Sequence, residues 1–285
     1  MISFCLIAKD EEKWIQECLQ SISQLADQIV FADTGSSDRT IEIAKTFEKI
    51  DLFQIPWKSH FGDARNQTIE KASQPWIFSF DADERIGAKD IEGFRKLISE
   101  ADKDPTIEAI SLVRRDYVYN PSVSGFKPCV GDYPELEGSY PGYYEERMVR
   151  IFRNKPHIRW VGSLHEMVDS TLRGKILVSN IVFHHFGYLP DEMERKQKRN
   201  FYEQAGQRKT SENPNDWKSH FDLAVEYVGA QNYEAAIPLF KKAEALGAPL
   251  HLTLSNRGYA EMSLKRFAEA EATLKRCVET IPKFH

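Results

Sequence analysis

Two aspartates separated by one alanine close the apolar run Trp76–Glu84, WIFSFDADE. Carboxylates this close repel one another unless a cation lies between them, and the carboxyl end of a buried strand is where open α/β sheets bind ligands. The simplest occupant is a hard divalent ion carrying phosphate. Asp33-Thr-Gly-Ser-Ser-Asp-Arg-Thr40 follows an earlier apolar run. Gly35 permits a tight turn there, and Ser36, Ser37 or Asp38 can cap the next helix. Asp33, at the strand end, is placed to bond a base or ribose. Phe61-Gly-Asp-Ala-Arg-Asn-Gln67 opens a helix whose Ile69 and Ala72 face the core. Arg65 then lies near the helix start, where it either binds phosphate or stacks on a base, or makes a surface salt bridge.

These residues need a scaffold that brings strand ends together. Apolar runs of strand length alternate with stretches of helical period: Ile2 to Ala8, then helix to about Gln24; Ile29 to Ala32, then helix to about Glu48; Leu52 to Ile55, then helix to about Ala72; then Trp76 to Phe80. Continuous hydrophobicity in the strands indicates burial on both faces, so a mostly parallel sheet with helices above and below is expected. The fold class is α/β.

The 285 residues suffice for one large domain and a smaller one, and 41% hydrophobic with 28% charged residues is ordinary for a globular protein. A net charge of -5 gives no support to nucleic-acid binding, which usually shows a basic excess. Cys5, Cys18, Cys129 and Cys277 are scattered without a CxxC pair, so neither a disulfide framework nor a structural zinc site is indicated and a reducing cytoplasm is expected. The run ISFCLIA is too short for a membrane span and lacks the basic flank and cleavage site of a signal peptide; it reads as the first buried strand.

IAKDEE after the first strand, DTGSSDRT after the second, DARNQT opening the third helix and DADE after the fourth strand occur in that order. Over roughly residues 1 to 190 the chain resembles the inverting glycosyltransferases of family 2, which have the GT-A (Rossmann-like) fold and use nucleotide-diphosphate sugars. With Gly162-Ser-Leu-His-Glu166 further on, it looks most like the bacterial branch that includes lipopolysaccharide-core and peptide glycosyltransferases. The resemblance implies that Ala8, Lys9 and Glu11 border the nucleotide, that Asp33 and Arg65 contact uridine, and that Asp81 and Asp83 form the DxD signature. It implies Mn²⁺ or Mg²⁺ on Asp83, with Asp81 on ribose or the ion's water shell; such an ion is a Lewis acid for the leaving diphosphate. Thr34 stands where many relatives carry a second acidic residue that reads uracil.

Inversion requires a base opposite the leaving group. The resemblance places an acidic residue after the DxD, and Glu166, following an expected strand around Ile158 to Val161, is the candidate. Related enzymes complete the metal's coordination with a downstream histidine. His184 and His185 end the apolar strand Ile176 to Phe183, and adjacent strand residues face opposite sides, so one of them can point at the metal; His184 is the choice. Between Arg114 and Arg147 the pattern breaks into a Pro- and Gly-containing stretch with Tyr117, Tyr119, Tyr133, Tyr140, Tyr143 and Tyr144, read as an acceptor-side lid.

A charged helix from Asp191 to about Lys209 leads through Ser211-Glu-Asn-Pro214 into two stretches related by 34 residues. Ala224 aligns with Gly258, Tyr233 with Phe267, Ala236 with Ala270, Phe240 with Leu274, Ala243 with Cys277 and Ala248 with Pro282. The period and its small and aromatic positions resemble tetratricopeptide repeats. The expected organisation is therefore a GT-A domain over 1–190, a linker helix over 191–213 and an all-α pair of repeats over 214–285. The expected function is metal-dependent inverting transfer of a sugar, from a UDP-sugar by preference, to a saccharide, lipid-linked or peptide acceptor. Partners through the repeats and a cytoplasmic location, with peripheral association at the inner membrane face, complete the expectation. Two alternatives stand beside it: a non-catalytic repeat-bearing adaptor, and a sugar nucleotidyltransferase, whose glycine-rich basic loop after strand one is here the acidic AKDEE.

Overall fold

The apolar runs form the centre of one sheet in the computed structural model, which describes residues 1–121, 123, 125–138, 140–162, 166–187 and 203–280. Strand β1 (Ile2–Ala8) lies between β2 (Gln28–Asp33) and β4 (Trp76–Asp81), both parallel to it, and β3 (Ile50–Gln54) flanks β2. Ala8 is in register with Asp33 and Ile7 with Asp81, so the motif-bearing strand ends emerge on one edge. Alternate residues bury opposite faces, as strand geometry requires. Phe4, Leu6, Phe78 and Phe80 pack with Ile15 and Leu19 of α1 (Ile15–Ile22) and Phe94 of α4 (Ile91–Lys103). Cys5, Val30 and Ile77 pack with Ile69 of α3 (Phe61–Lys71) on the other face. Helix α2 (Thr40–Ala44) makes the crossover between β2 and β3.

Beyond β4 the sheet becomes mixed. Strand β8 (Gly142–Arg153) pairs antiparallel with β4 and with β6 (Ile107–Val118), and β6 runs parallel to β9 (Lys175–His185). The short β5 (Glu84–Arg85) folds back antiparallel onto the end of β9, with Glu84 opposite His185. Strand β7 (Lys127–Pro128) joins β8.

Two expectations change. Residues 158–161 are not a strand: Val161 makes an isolated bridge to Met167, while Ile158 and Trp160 are buried beneath the sheet. The alternation there reflects packing, and the Trp160 backbone is satisfied by the Asn66 side chain instead of a neighbouring strand. The described part of the tyrosine-rich stretch is also packed more than a lid requires. Tyr117, Tyr133 and Tyr143 are buried with Leu136 of α5 (Pro134–Glu137) and Phe186, whereas Tyr119 stays exposed. Their rings pack on one another instead of forming an open recognition face.

Glu108 pins the far end of this half. Its buried carboxylate accepts from the backbone N–H of Arg173 (2.7 Å) and Gly174 (2.8 Å) and from Lys155 Nζ (2.9 Å). Burial alone raises a carboxyl pKa, but these bonds outweigh it and hold Glu108 down at about 2. A folded-state pKa below the unfolded one stabilises the fold fully above the ordinary value of 4.5 and less as pH falls through about 2. Glu108→Gln is expected to cost about 1–3 kcal/mol at neutral pH and to remove this part of the acid sensitivity, as read by urea unfolding at several pH values.

The chain divides into two compact units, Met1–Pro190 and Asp191–His285. In the second, residues 203–212 are helical; the expected linker helix lies mostly outside the described residues. Four helices follow: α6 (Trp217–Gly229), α7 (Tyr233–Ala245), α8 (Leu250–Ser263) and α9 (Phe267–Thr280). The 34-residue repeat seen in sequence is a structural repeat as well. Gln231 and Lys265 both take positive φ, 59° and 61°, at equivalent turns. Asn232 N–H donates to Tyr227 O and Arg266 N–H to Glu261 O in the same relation. Ala224, Ala236 and Phe240 form the core of the first hairpin. In the second, a Cβ at Gly258 would lie 2.6 Å from Leu274, so the small residue admits the large one. Pro282 lies outside the described residues. Among the described residues no helix is long and apolar enough to cross a membrane.

Candidate active site

The loops after β1 and β2 are laced together. Asp10, at φ 54°, accepts from Ser37 N–H at 2.7 Å, and its own N–H donates to Ser36 Oγ. Glu11 N–H donates to Thr40 Oγ1 at 2.7 Å, Glu12 N–H donates to Asp38, and Glu12 accepts from Arg39 N–H. The segments AKDEE and DTGSSDRT thus form one rim. Ala8 is buried at its base, where its carbonyl accepts from Thr34 N–H and Thr34 Oγ1, so Thr34 is turned toward β1. Lys9 is exposed and Glu11 half-buried on the rim. Asp33 is fully buried and accepts from Gly35 and Ser36 N–H and from Gln54 Nε2, so its first task is to shape the turn. Gly35, at φ 110°, takes the left-handed conformation this turn requires.

Arg65 is buried on α3, and each nitrogen of its guanidinium has a partner. Nη2 donates to Asp81 Oδ1 at 2.7 Å, Nε to Glu166 Oε1 at 2.7 Å and Nη1 to Ser79 Oγ at 3.1 Å. One side chain therefore joins the end of β4 to Glu166. Arg150 of β8 meets Asp81 Oδ2 at 2.9 Å and also contacts Glu84, whose carboxylate accepts from Asp81 N–H. Burial would raise the Asp81 pKa, but the two guanidiniums hold it well below the usual carboxylate range. Glu84 is pushed up to about 7 by burial, with Arg150 opposing and Asp81 adding to the rise.

Asp83 faces a histidine. Its Oδ2 lies 3.5 Å from His185 Nε2, and His185 Nδ1 is bonded to Asp116 at 2.5 Å. Burial pulls His185 down, but Asp83 and Asp116 outweigh it and raise its pKa to about 10. His184 departs from expectation. It is fully buried on the opposite face of β9, with Nδ1 bonded to Tyr117 Oη at 3.0 Å and its ring stacked on Tyr117 and edge-on to Tyr133. Burial, then the charges of Arg115, Lys89 and Arg85, lower its pKa to about 3. The β5–β9 pairing turns His185, and not His184, toward Asp83.

Asp83 and His185 fit a divalent ion that takes the place of the proton His185 Nε2 shares with Asp83. A carboxylate oxygen and an imidazole nitrogen suit Mn²⁺, and the His185–Asp116 pair orients the imidazole as a second-shell carboxylate does in metal sites. Gly187 preserves the space between them: a Cβ there would lie 2.2 Å from Asp83 Oδ2 and 2.6 Å from His185 Nε2. Among the described residues no three His, Cys, Asp or Glu side chains are gathered as a metal site. Of the segment Gly162–Glu166, residues 163–165 lie outside the described residues.

The carboxyl end of β4 thus carries Asp81 and Asp83, and Arg65 of α3 holds Glu166 against Asp81. The family model for Glycosyl transferase family 2 matches residues 3–163, and a tetratricopeptide-repeat model matches residues 253–284. The chain belongs to glycosyl transferase family 2 and is a glycosyltransferase. A tetratricopeptide-repeat-containing protein of Synechococcus elongatus is 28% identical over 302 residues, covering 99% of this chain and 68% of its own. The glycosyltransferase SunS of Bacillus subtilis is 27% identical over 68% of this chain, which spans 41% of SunS. The lipopolysaccharide core glycosyltransferase LpsC of Rhizobium meliloti is 30% identical over 41% of this chain and 43% of its own. The crystal structure of S. aureus TarS matches 95% of this chain and 55% of its own at a TM-score of 0.50 and 13% identity, a likeness of GT-A fold.

Proposed function

We propose that the chain transfers a sugar from a UDP-sugar to an acceptor hydroxyl with inversion. The observation that carries this is the Arg65 fork, which joins Glu166 to Asp81. The rim formed by Ala8, Lys9, Glu11 and Asp33 borders the nucleotide, and Asp81 faces the ribose and sugar side. Glu166 takes the acceptor proton as the acceptor oxygen attacks the anomeric carbon. The bond to the diphosphate oxygen breaks, and its electron pair leaves with the nucleotide. Arg65 keeps its charge beside both carboxylates and neutralises the crevice as the diphosphate enters.

Asp83 and His185 would hold the divalent ion, whose remaining positions suit phosphate oxygens and water. When bound it supplies Lewis-acid stabilisation of the departing diphosphate. The acceptor is a saccharide, lipid-linked glycan or peptide, and the repeats offer a surface for a protein partner.

The test is nucleotide release from UDP-glucose, UDP-galactose and UDP-N-acetylglucosamine with and without Mn²⁺. Release that requires the metal is expected; none from any donor would sink the reading. In the same assay His185→Ala is expected to raise the Mn²⁺ requirement at least as much as loss of an outer-shell partner does, about 10- to 100-fold. His184→Phe, which keeps a ring in the Tyr117 cluster, is expected to leave that requirement unchanged. The reverse order would return the metal role to His184.

A further inference from the structure

Three residues in the first two turns of α3 grip the segment that leads to Glu166. Gly62 N–H donates to Gly162 O at 3.2 Å, and a Cβ at Gly62 would lie 2.5 Å from that oxygen. Asn66 Nδ2 donates to Trp160 O at 2.9 Å while Asn66 Oδ1 accepts from Trp160 N–H at 2.9 Å. Arg65 Nε reaches Glu166 itself. Positions three and four apart share a helical face, so 62, 65 and 66 point the same way.

Helix formation explains neither Gly62 nor Asn66, since both are poor helix formers and glycine costs about 1 kcal/mol relative to alanine. What they do is visible across the gap. Besides the bond from Gly62, the segment from Trp160 to Met167 has the Val161–Met167 bridge as backbone pairing among its described residues. The Asn66 amide has the donor and acceptor of a peptide group and meets both polar groups of Trp160, as a neighbouring strand would. Gly62 lets the helix backbone come close enough for this to happen.

We propose that this face of α3 is a clamp that aims the Glu166 carboxylate, with Asn66 as a positioning residue that touches neither donor nor acceptor. The proposal rests on Glu166 being the base. A small misplacement of a reacting group can cost about 100-fold in rate without changing ground-state affinity, so the clamp acts on kcat and not on donor binding.

The test compares Asn66→Ala and Gly62→Ala, each alone and combined with Glu166→Gln. Nucleotide release is measured with the best of the three UDP-sugars above, and the Kd of UDP with Mn²⁺ by calorimetry. Each single variant is expected to lower kcat by about 10- to 100-fold with the UDP Kd unchanged. In the Glu166→Gln background neither should lower the residual rate further, because residues acting through one group are non-additive. Losses that multiply in that background, or a UDP Kd that weakens in step with kcat, overturn the clamp. Normal release by Glu166→Gln alone instead overturns the base reading, as does the absence of release by the unsubstituted protein for the donor reading. If Asn66→Ala does not fold, Gly62→Ala, which leaves the Asn66 amide in place, decides the question.

Discussion

Glu166→Gln is expected to lower sugar transfer by about 10²- to 10⁴-fold, the usual contribution of a general base, while UDP still binds in the presence of Mn²⁺. The substitution is chosen for what it preserves. A glutamine has the same length, and its carbonyl oxygen can still accept from Arg65 Nε, as Glu166 Oε1 does at 2.7 Å. Alanine would leave a buried guanidinium without one of its two carboxylate partners, and breaking a buried ion pair costs about 3–5 kcal/mol. Its effect would mix folding with catalysis. Glutamine cannot take the acceptor's proton, so the loss should fall on kcat. Transfer at a near-normal rate would show that another group receives the proton.

Asp83→Ala is expected to abolish metal-dependent turnover and leave the fold intact. Asp83 suits this test better than Asp81, which is tied to both Arg65 and Arg150 and whose removal would take one carboxylate partner from each of two buried cations. The turn at Asp83 is held by its backbone, since its carbonyl accepts from Phe186 N–H at 3.0 Å. His185 also retains Asp116 when the Asp83 carboxylate is gone. Metal stabilisation of a leaving group is worth several kcal/mol, so its loss corresponds to a fall of about 10³-fold. Thermal unfolding and initial rates on the same preparation separate this from a stability defect.

The buried parallel strands were legible because continuous apolar runs have one good explanation, burial on both faces, and β1 and β4 begin at the expected residues, Ile2 and Trp76. Their parallel order puts the DADE and DTGSSD segments on one edge as expected. What escaped was anything set by pairing between distant segments. Alternation along β9 shows that only one of His184 and His185 can face Asp83, but the choice depends on Glu84 lying opposite His185, which no local pattern contains. Arg150 was missed although a signal exists: it is a charge inside the apolar run MVRIF, an arrangement that calls for a buried partner. The tyrosine stretch reads as an acceptor-side lid because it lacks periodicity, yet Tyr117, Tyr133 and Tyr143 fill a small core around Phe186. The apolar residues before Glu166 suggested a strand, and the backbone there is paired with the Asn66 side chain instead.

Binding of nucleotide to Asp83 through a divalent ion is tested most directly by calorimetric titration of UDP, with and without Mn²⁺, into the unsubstituted chain and Asp83→Ala. Binding that needs Mn²⁺ in the former and disappears in the latter is predicted. UDP binding of equal strength in both proteins, with or without the metal, would contradict it.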